Sequence, residues 1–230
     1  MNQGAQVLTP AGGGALAAQR NRVLRNTYWL LALSMVPTVL GAWIGVQTGI
    51  SQAMSPGIGL VVFLAGAFGF MFAIERTKNS AAGVPLLLAF TFFMGLMLAR
   101  LLGVVLGLSN GTGLVMTAFA GTGIIFFGMA TMSTVVKRDL TQMGKFLFIG
   151  MIMLLVAMIA NFFIQSGPLM ITLSVLAIGI FSLFILHDLK RVQDGVETNY
   201  ITATLGVYLS LYNVFSNLLA LLGIFGGDGD

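Results

Sequence analysis

The chain contains no cysteine and a single histidine, His187. Disulfides, thiolate metal centres and thiol nucleophiles are therefore excluded, and so is an imidazole-rich metal site. Charge is equally scarce. Asp, Glu, Lys and Arg make up 8% of the 230 residues, while 57% are hydrophobic. A soluble domain carries roughly 25% charged residues, so the ordinary soluble class is ruled out. Residues 1–19 hold no charged side chain and no basic region ahead of an apolar core. They do not read as a cleavable secretory signal, and insertion is expected to start from the first membrane crossing.

What the chain does have is seven long apolar runs, near residues 27–47, 56–74, 84–106, 112–136, 146–166, 168–187 and 201–224. Most approach or exceed the ~20 residues that a helix needs to cross a hydrocarbon core. Ten of the eleven basic residues fall in alternate gaps between them: Arg20, Arg22 and Arg25, then Arg76 and Lys78, then Lys137, Arg138 and Lys145, then Lys190 and Arg191. The intervening gaps hold none. The positive-inside bias places the basic gaps and the N-terminus in the cytoplasm, and seven crossings carry the C-terminus to the far side. The expected fold class is an all-α polytopic membrane protein, a seven-helix bundle. The net charge of +4 is then a matter of anchoring to anionic headgroups, and no nucleic-acid partner is expected.

Three segments are expected. Residues 1–20, rich in Gly, Ala and Gln, read as a disordered cytoplasmic tail because they cannot bury enough to offset chain entropy. Residues 21–225 form one seven-helix domain, and 226–230 a short acidic tail. Gly57, Gly59, Gly66 and Gly69 on the second crossing, and Gly121, Gly123 and Gly128 on the fourth, suggest small-residue surfaces for close helix approach.

A few polar side chains stand out against this background. Asp188 follows the apolar stretch Ile178–Leu186, interrupted only by Ser182. Ionisable residues at such depth are usually paired, inward-facing and functional. The alternative is that His187-Asp188-Leu189-Lys190-Arg191 is simply a helix surfacing into the headgroups. Glu75 and Arg76, at the same end of the second crossing, are the expected partners of Asp188. Arg100, inside the third crossing, reads either as a snorkelling cation or as a buried pair with carbonyls. Thr202, Gly206, Ser210, Asn213 and Asn217 recur every three or four residues on one face of the seventh crossing. Their amides need hydrogen-bond partners, so this face points into the bundle as interhelical glue. Asn161 in the fifth crossing is a similar buried amide. No catalytic constellation is present: the lone histidine adjoins Asp188, but neighbours on a helix diverge by about 100°. The chain is not expected to be an enzyme.

Several segments carry a resemblance. Val23-Leu-Arg-Asn-Thr-Tyr, Ala160-Asn-Phe-Phe-Ile-Gln, Gly195-Val-Glu-Thr-Asn-Tyr-Ile-Thr-Ala-Thr and above all Tyr208-Leu-Ser-Leu-Tyr-Asn-Val-Phe-Ser-Asn-Leu-Leu-Ala-Leu-Leu-Gly resemble the bacterial, YccA-like branch of the Bax inhibitor family. The similarity runs from about residue 21 to 224. It implies a seven-helix fold in the bacterial inner membrane, without a cofactor, and two functions. One is to bind and restrain an FtsH-type membrane AAA protease, with its stomatin-like companion complex, and so to affect membrane-protein turnover. A tail of about 26 residues, roughly 85 Å if extended, with Arg20, Arg22 and Arg25 at its base, suits that contact. The alternative is a pH-sensitive calcium or cation leak channel, calcium being the permeant ion, in which aspartates of the sixth and seventh helices share a latch. Asp188 matches the first aspartate. The second belongs to a Tyr-Leu-Asp-x-x-Asn pattern, and here Ser210 replaces it. Two close carboxylates share a proton. A serine cannot do so, and it offers calcium only a neutral oxygen. The departure favours the protease reading.

Overall fold

The computed structural model describes residues 12–226. These residues form eight helices and no strand: α1 (Gly12–Thr48), α2 (Ile50–Ala53), α3 (Pro56–Thr77), α4 (Gly83–Leu106), α5 (Gly111–Val135), α6 (Thr141–Ile164), α7 (Gly167–Gln193) and α8 (Tyr200–Gly226). All but the four-residue α2 are long and apolar enough to cross a membrane. The seven runs read from hydropathy thus correspond one to one with seven helices. Helix starts are built from local chemistry. Ser55 and Ser166 accept from the backbone N–H three residues on, each with a proline in the following first turn. Asn199 Oδ1 accepts from Ile201 N at 2.9 Å and Thr202 N at 3.2 Å, capping α8. Each cap satisfies backbone donors that the helix itself leaves unpaired.

Helix α8 is the axis of the bundle, packed against α1, α4, α5 and α7, whereas α3 packs principally along α4 and α6 along α7. Tyr208, Val207 and Val214 of α8 meet Phe90, Leu87 and Met94 of α4 and Ile185 and Leu189 of α7 in the main buried cluster. The Tyr208 hydroxyl, buried among them, lies 2.8 Å from Thr38 Oγ1 of α1, so the polar atom that the ring brings inside has a partner.

The most extensive helix pair is α1 with α4, and small residues set it. A Cβ added at Gly41 would lie 2.2 Å from the Phe92 carbonyl oxygen, one at Gly95 2.1 Å from that of Thr38, and one at Gly45 2.5 Å from the Ala99 Cβ. Only residues without larger side chains let these backbones approach so closely. The glycines singled out from the sequence do this less. Gly66 lies under the Phe93 ring and Gly121 touches Leu218, but Gly57, Gly69, Gly123 and Gly128 have nothing within 4 Å of an added Cβ.

The expected disordered tail of residues 1–20 also needs correction. Gly12 to Arg20 are helical and continuous with the first crossing; residues 1–11 lie outside the described residues, as do 227–230 of the expected acidic tail. The part of α1 from Gly12 to Arg25 therefore rises only about 20 Å, with Arg20, Arg22 and Arg25 all exposed along it. Adjacent helical residues cost less entropy to order than isolated ones, because propagation follows a nucleus already supplied by the crossing.

Candidate functional site at the basic end of the bundle

Near its basic end α7 carries His187 and Asp188 into a space that glycines keep open on both sides. A Cβ at Gly206 of α8 would lie 2.7 Å from Asp188 Oδ2, and one at Gly144 of α6 2.4 Å from His187 Nε2. The carboxylate therefore rests on the α8 backbone and the imidazole on the α6 backbone. His187 Nδ1 and Asp188 Oδ1 are 3.1 Å apart. Neighbouring helical side chains do diverge at the backbone, but here both turn into the same groove, and their ends meet. The Asp188 side chain retains 17% of its exposure, consistent with a group at a cavity mouth rather than in the sealed core.

The cavity on the α8 side measures about 200 Å³ and is lined by Asp188, Arg191, Glu197, Thr202 and Gly206 among others. Arg191 Nη2 stands 3.9 Å from Glu197 Oε2 across it. Glu197 Oε1 accepts from Asn199 N at 2.8 Å, which ties the carboxylate to the α8 cap. Thr202 Oγ1 is buried without a hydrogen-bond partner, and a buried hydroxyl so placed is costly unless the cavity supplies one. Glu197 and Gly144 were not assigned a role from the sequence, and Thr202 and Gly206 were assigned only to interhelical packing. Thr202 and Gly206 lay on the recognised α8 stripe; Glu197 lay in the Glu-Thr-Asn-Tyr segment that precedes it. Only the fold shows that Gly206 lies against Asp188, Gly144 against His187, and Glu197 and Thr202 in the cavity that Asp188 lines.

The partners expected for Asp188 are elsewhere. Glu75 pairs with Lys78 three residues on, and the Arg76 guanidinium lies over the Phe72 ring, 4.8 Å from its centroid. Helix α3 sits on the outside of α4, so its charged end is turned to the rim and not to α7. The side chain that meets Asp188 is its own neighbour on α7, His187; Arg191 lines the same cavity and stands nearest Glu197. Lys190 is drawn away by Asp194, at 2.6 Å.

The α8 stripe divides by depth. Ser210, 3% exposed, is one turn beyond Gly206 on the same face. Asn213 and Asn217 donate to the carbonyls of Leu209 and Asn213, four residues back in their own helix, at 2.9 and 2.8 Å. Those bonds are intrahelical, where interhelical glue was expected, because a local i−4 carbonyl is the nearest acceptor in an apolar bundle. Asn161 accepts from Ser166 N at 3.1 Å and closes the α6–α7 turn, in which Gln165 takes a left-handed conformation with φ 56°. Arg100 extends toward the first turn of α3, with Nη1 3.3 Å from where a Gly59 Cβ would be. Among the described residues no group of three or more His, Asp or Glu stands together as a metal-binding cluster.

Seven apolar helices and a charged pocket confined to one end define a polytopic membrane protein with a polar vestibule. Residues 20–227 match the family described as Inhibitor of apoptosis-promoting Bax1, and the chain belongs to this Bax inhibitor family. It is 36% identical over 208 residues to a protein of Escherichia coli K12 named Modulator of FtsH protease YccA, covering 90% of this chain and 92% of the relative. It is 37% identical over 217 residues to an uncharacterized Pseudomonas aeruginosa protein, covering 93% and 95%. With an uncharacterized membrane protein of Vibrio cholerae it shares 35% identity over 210 residues, covering 91% and 92%. A further Escherichia coli relative is named Inner membrane protein YccA. The chain is a multi-pass protein of the bacterial inner membrane.

Proposed function

We propose that this protein binds an FtsH-type membrane AAA protease, with its stomatin-like companion complex, and restrains it. The observation that carries the reading is the similarity, over nine-tenths of the chain, to a relative named as a modulator of that protease. Two structural features support it. The exposed arginines of α1 stand at the end of the bundle that the charge bias assigns to the cytoplasm. A protease drawing on this end would pull first on α1, which is the helix locked most extensively to α4. A substrate engaged by a short lead and held back by its tightest seam occupies the enzyme for long periods. Deleting residues 1–19 tests this: the truncated protein inserts normally but escapes proteolysis by the reconstituted FtsH-type protease. Turnover at the wild-type rate would sink the engagement step.

A second reading, a cation leak past Asp188, is favoured by the pocket in which Asp188, Glu197 and the unpartnered Thr202 hydroxyl line one cavity. Calcium flux into proteoliposomes across a range of pH, with Asp188→Asn beside the wild type, decides it. Flux that depends on Asp188 establishes conduction despite Ser210, and no flux from folded protein leaves protease modulation alone.

A further inference from the structure

The other side of the Asp188 region opens differently. Between α6 and α7 runs a cleft of about 680 Å³, within the ~300–1,000 Å³ range of ligand sites. Its basic end is formed by Lys145 of α6 and Arg191 of α7, with His187 between them; toward the membrane centre its walls are Phe148, Ile149 and Phe184. Phe148 and Ile149 are each 56% exposed. Because α6 packs principally along α7 alone, this cleft faces outward from the bundle, toward lipid.

We propose that the cleft binds one anionic phospholipid of the cytoplasmic leaflet, its phosphate between Lys145 and Arg191 and an acyl chain along Phe148, Ile149 and Phe184. The two halves of the site call for the two halves of such a molecule. Cations at the interface attract anionic headgroups, and the apolar wall continues directly from them into the hydrocarbon layer. A free phosphate uses only the first half. Lys145 is exposed and forms no ion pair among the described residues, and Arg191 holds its acidic neighbour Glu197 only at 3.9 Å. Both keep donors for a ligand. The remaining charged group in the cleft, Asp188, has its Oδ1 against His187 and its Oδ2 against Gly206. One carboxylate oxygen thus faces the imidazole and the other lies against α8. The site goes beyond the protease reading and does not depend on it.

Native mass spectrometry of the full chain, taken from nanodiscs of phosphatidylethanolamine and phosphatidylglycerol, tests this. The wild type retains one phosphatidylglycerol in preference to phosphatidylethanolamine. Lys145→Gln and Arg191→Gln each weaken that retention about fivefold, the effect of about one interfacial cation. Lys137→Gln, which removes the same charge from the same end but outside the cleft, leaves it unchanged, and so does millimolar inorganic phosphate. Phe148→Ala weakens retention with both cations in place, and thermal unfolding of each variant shows that the fold persists. Three results overturn the proposal. Equal retention of both lipids shows that no anionic site exists. Equal loss in all three cation variants shows diffuse surface attraction. Displacement of the lipid by inorganic phosphate shows an oxyanion site without the acyl groove.

Discussion

Replacing Gly95 by alanine in α4 adds a single methyl group at the tightest point of the bundle. The new carbon would stand 2.1 Å from the Thr38 carbonyl oxygen and 2.9 Å from Ala42 N of α1, where carbon–oxygen contacts ordinarily fall no closer than about 3.3 Å. No side chain can rotate away, since the obstruction is backbone, so α1 and α4 must separate by about 1 Å. Overpacking of this kind costs about 1–3 kcal/mol, and a gap of that width also forfeits a quarter to a half of the dispersion energy of the contacts it opens. Against this, alanine gains about 0.5–1 kcal/mol over glycine within a helix. The net expectation is a loss of about 2 kcal/mol, some thirtyfold in the folding equilibrium. Gly128→Ala is the matched control. Gly128 has nothing within 4 Å of an added Cβ, so there the propensity gain acts alone and the variant is more stable than wild type. Thermal unfolding of both variants in one detergent gives the comparison. Under the proposed function, degradation by the FtsH-type protease gives a second reading: Gly95→Ala is extracted faster and Gly128→Ala is not. A Gly95→Ala protein as stable as the Gly128→Ala control would refute the account of the seam.

Two further outcomes are expected. Asn199→Ala removes the α8 cap together with donor bonds to the Lys78 carbonyl and Asn79 Oδ1. It lowers stability by about 1–3 kcal/mol, read as a shift of the unfolding midpoint, and a change within error would show that the cap is dispensable. Thr202→Val replaces the unpartnered hydroxyl by a methyl group of similar size and stabilises the fold by about 1 kcal/mol. A loss of stability would show that this hydroxyl is solvated in the cavity and contributes to holding it open.

Much of the site was legible only in fragments. Asp188 stood out because a carboxylate so close to a long apolar run demands an explanation, and in the fold it lines the cavity beside α8. Its partners were misassigned to Glu75 and Arg76, because shared depth in the membrane says nothing about which helices are neighbours. Adjacent Gly206 and Gly144 gave no chemical signal at all, since a glycine's contribution is the space it leaves for another residue. Gly41, Gly45, Gly95 and Ala99 carry the four-residue spacing of small residues that marks close helix pairs. So do other positions in this glycine-rich chain, and spacing within one helix does not identify its partner.

By itself the sequence determined the class, the number of crossings and which of their ends carry the basic residues. Water cannot reach the bilayer core, so each crossing must satisfy its own backbone hydrogen bonds, and that requirement is met within one contiguous segment. Charge bias between crossings is likewise local. The tertiary structure alone decided that α8 is central, that α3 and α6 are peripheral, and that Asp188 lies against Gly206 in a cavity it shares with Glu197 and Thr202. Inside a membrane all helices are apolar, and which ones pair depends on how closely their surfaces fit. That fit is a property of two helices at once, and no single stretch of sequence contains it.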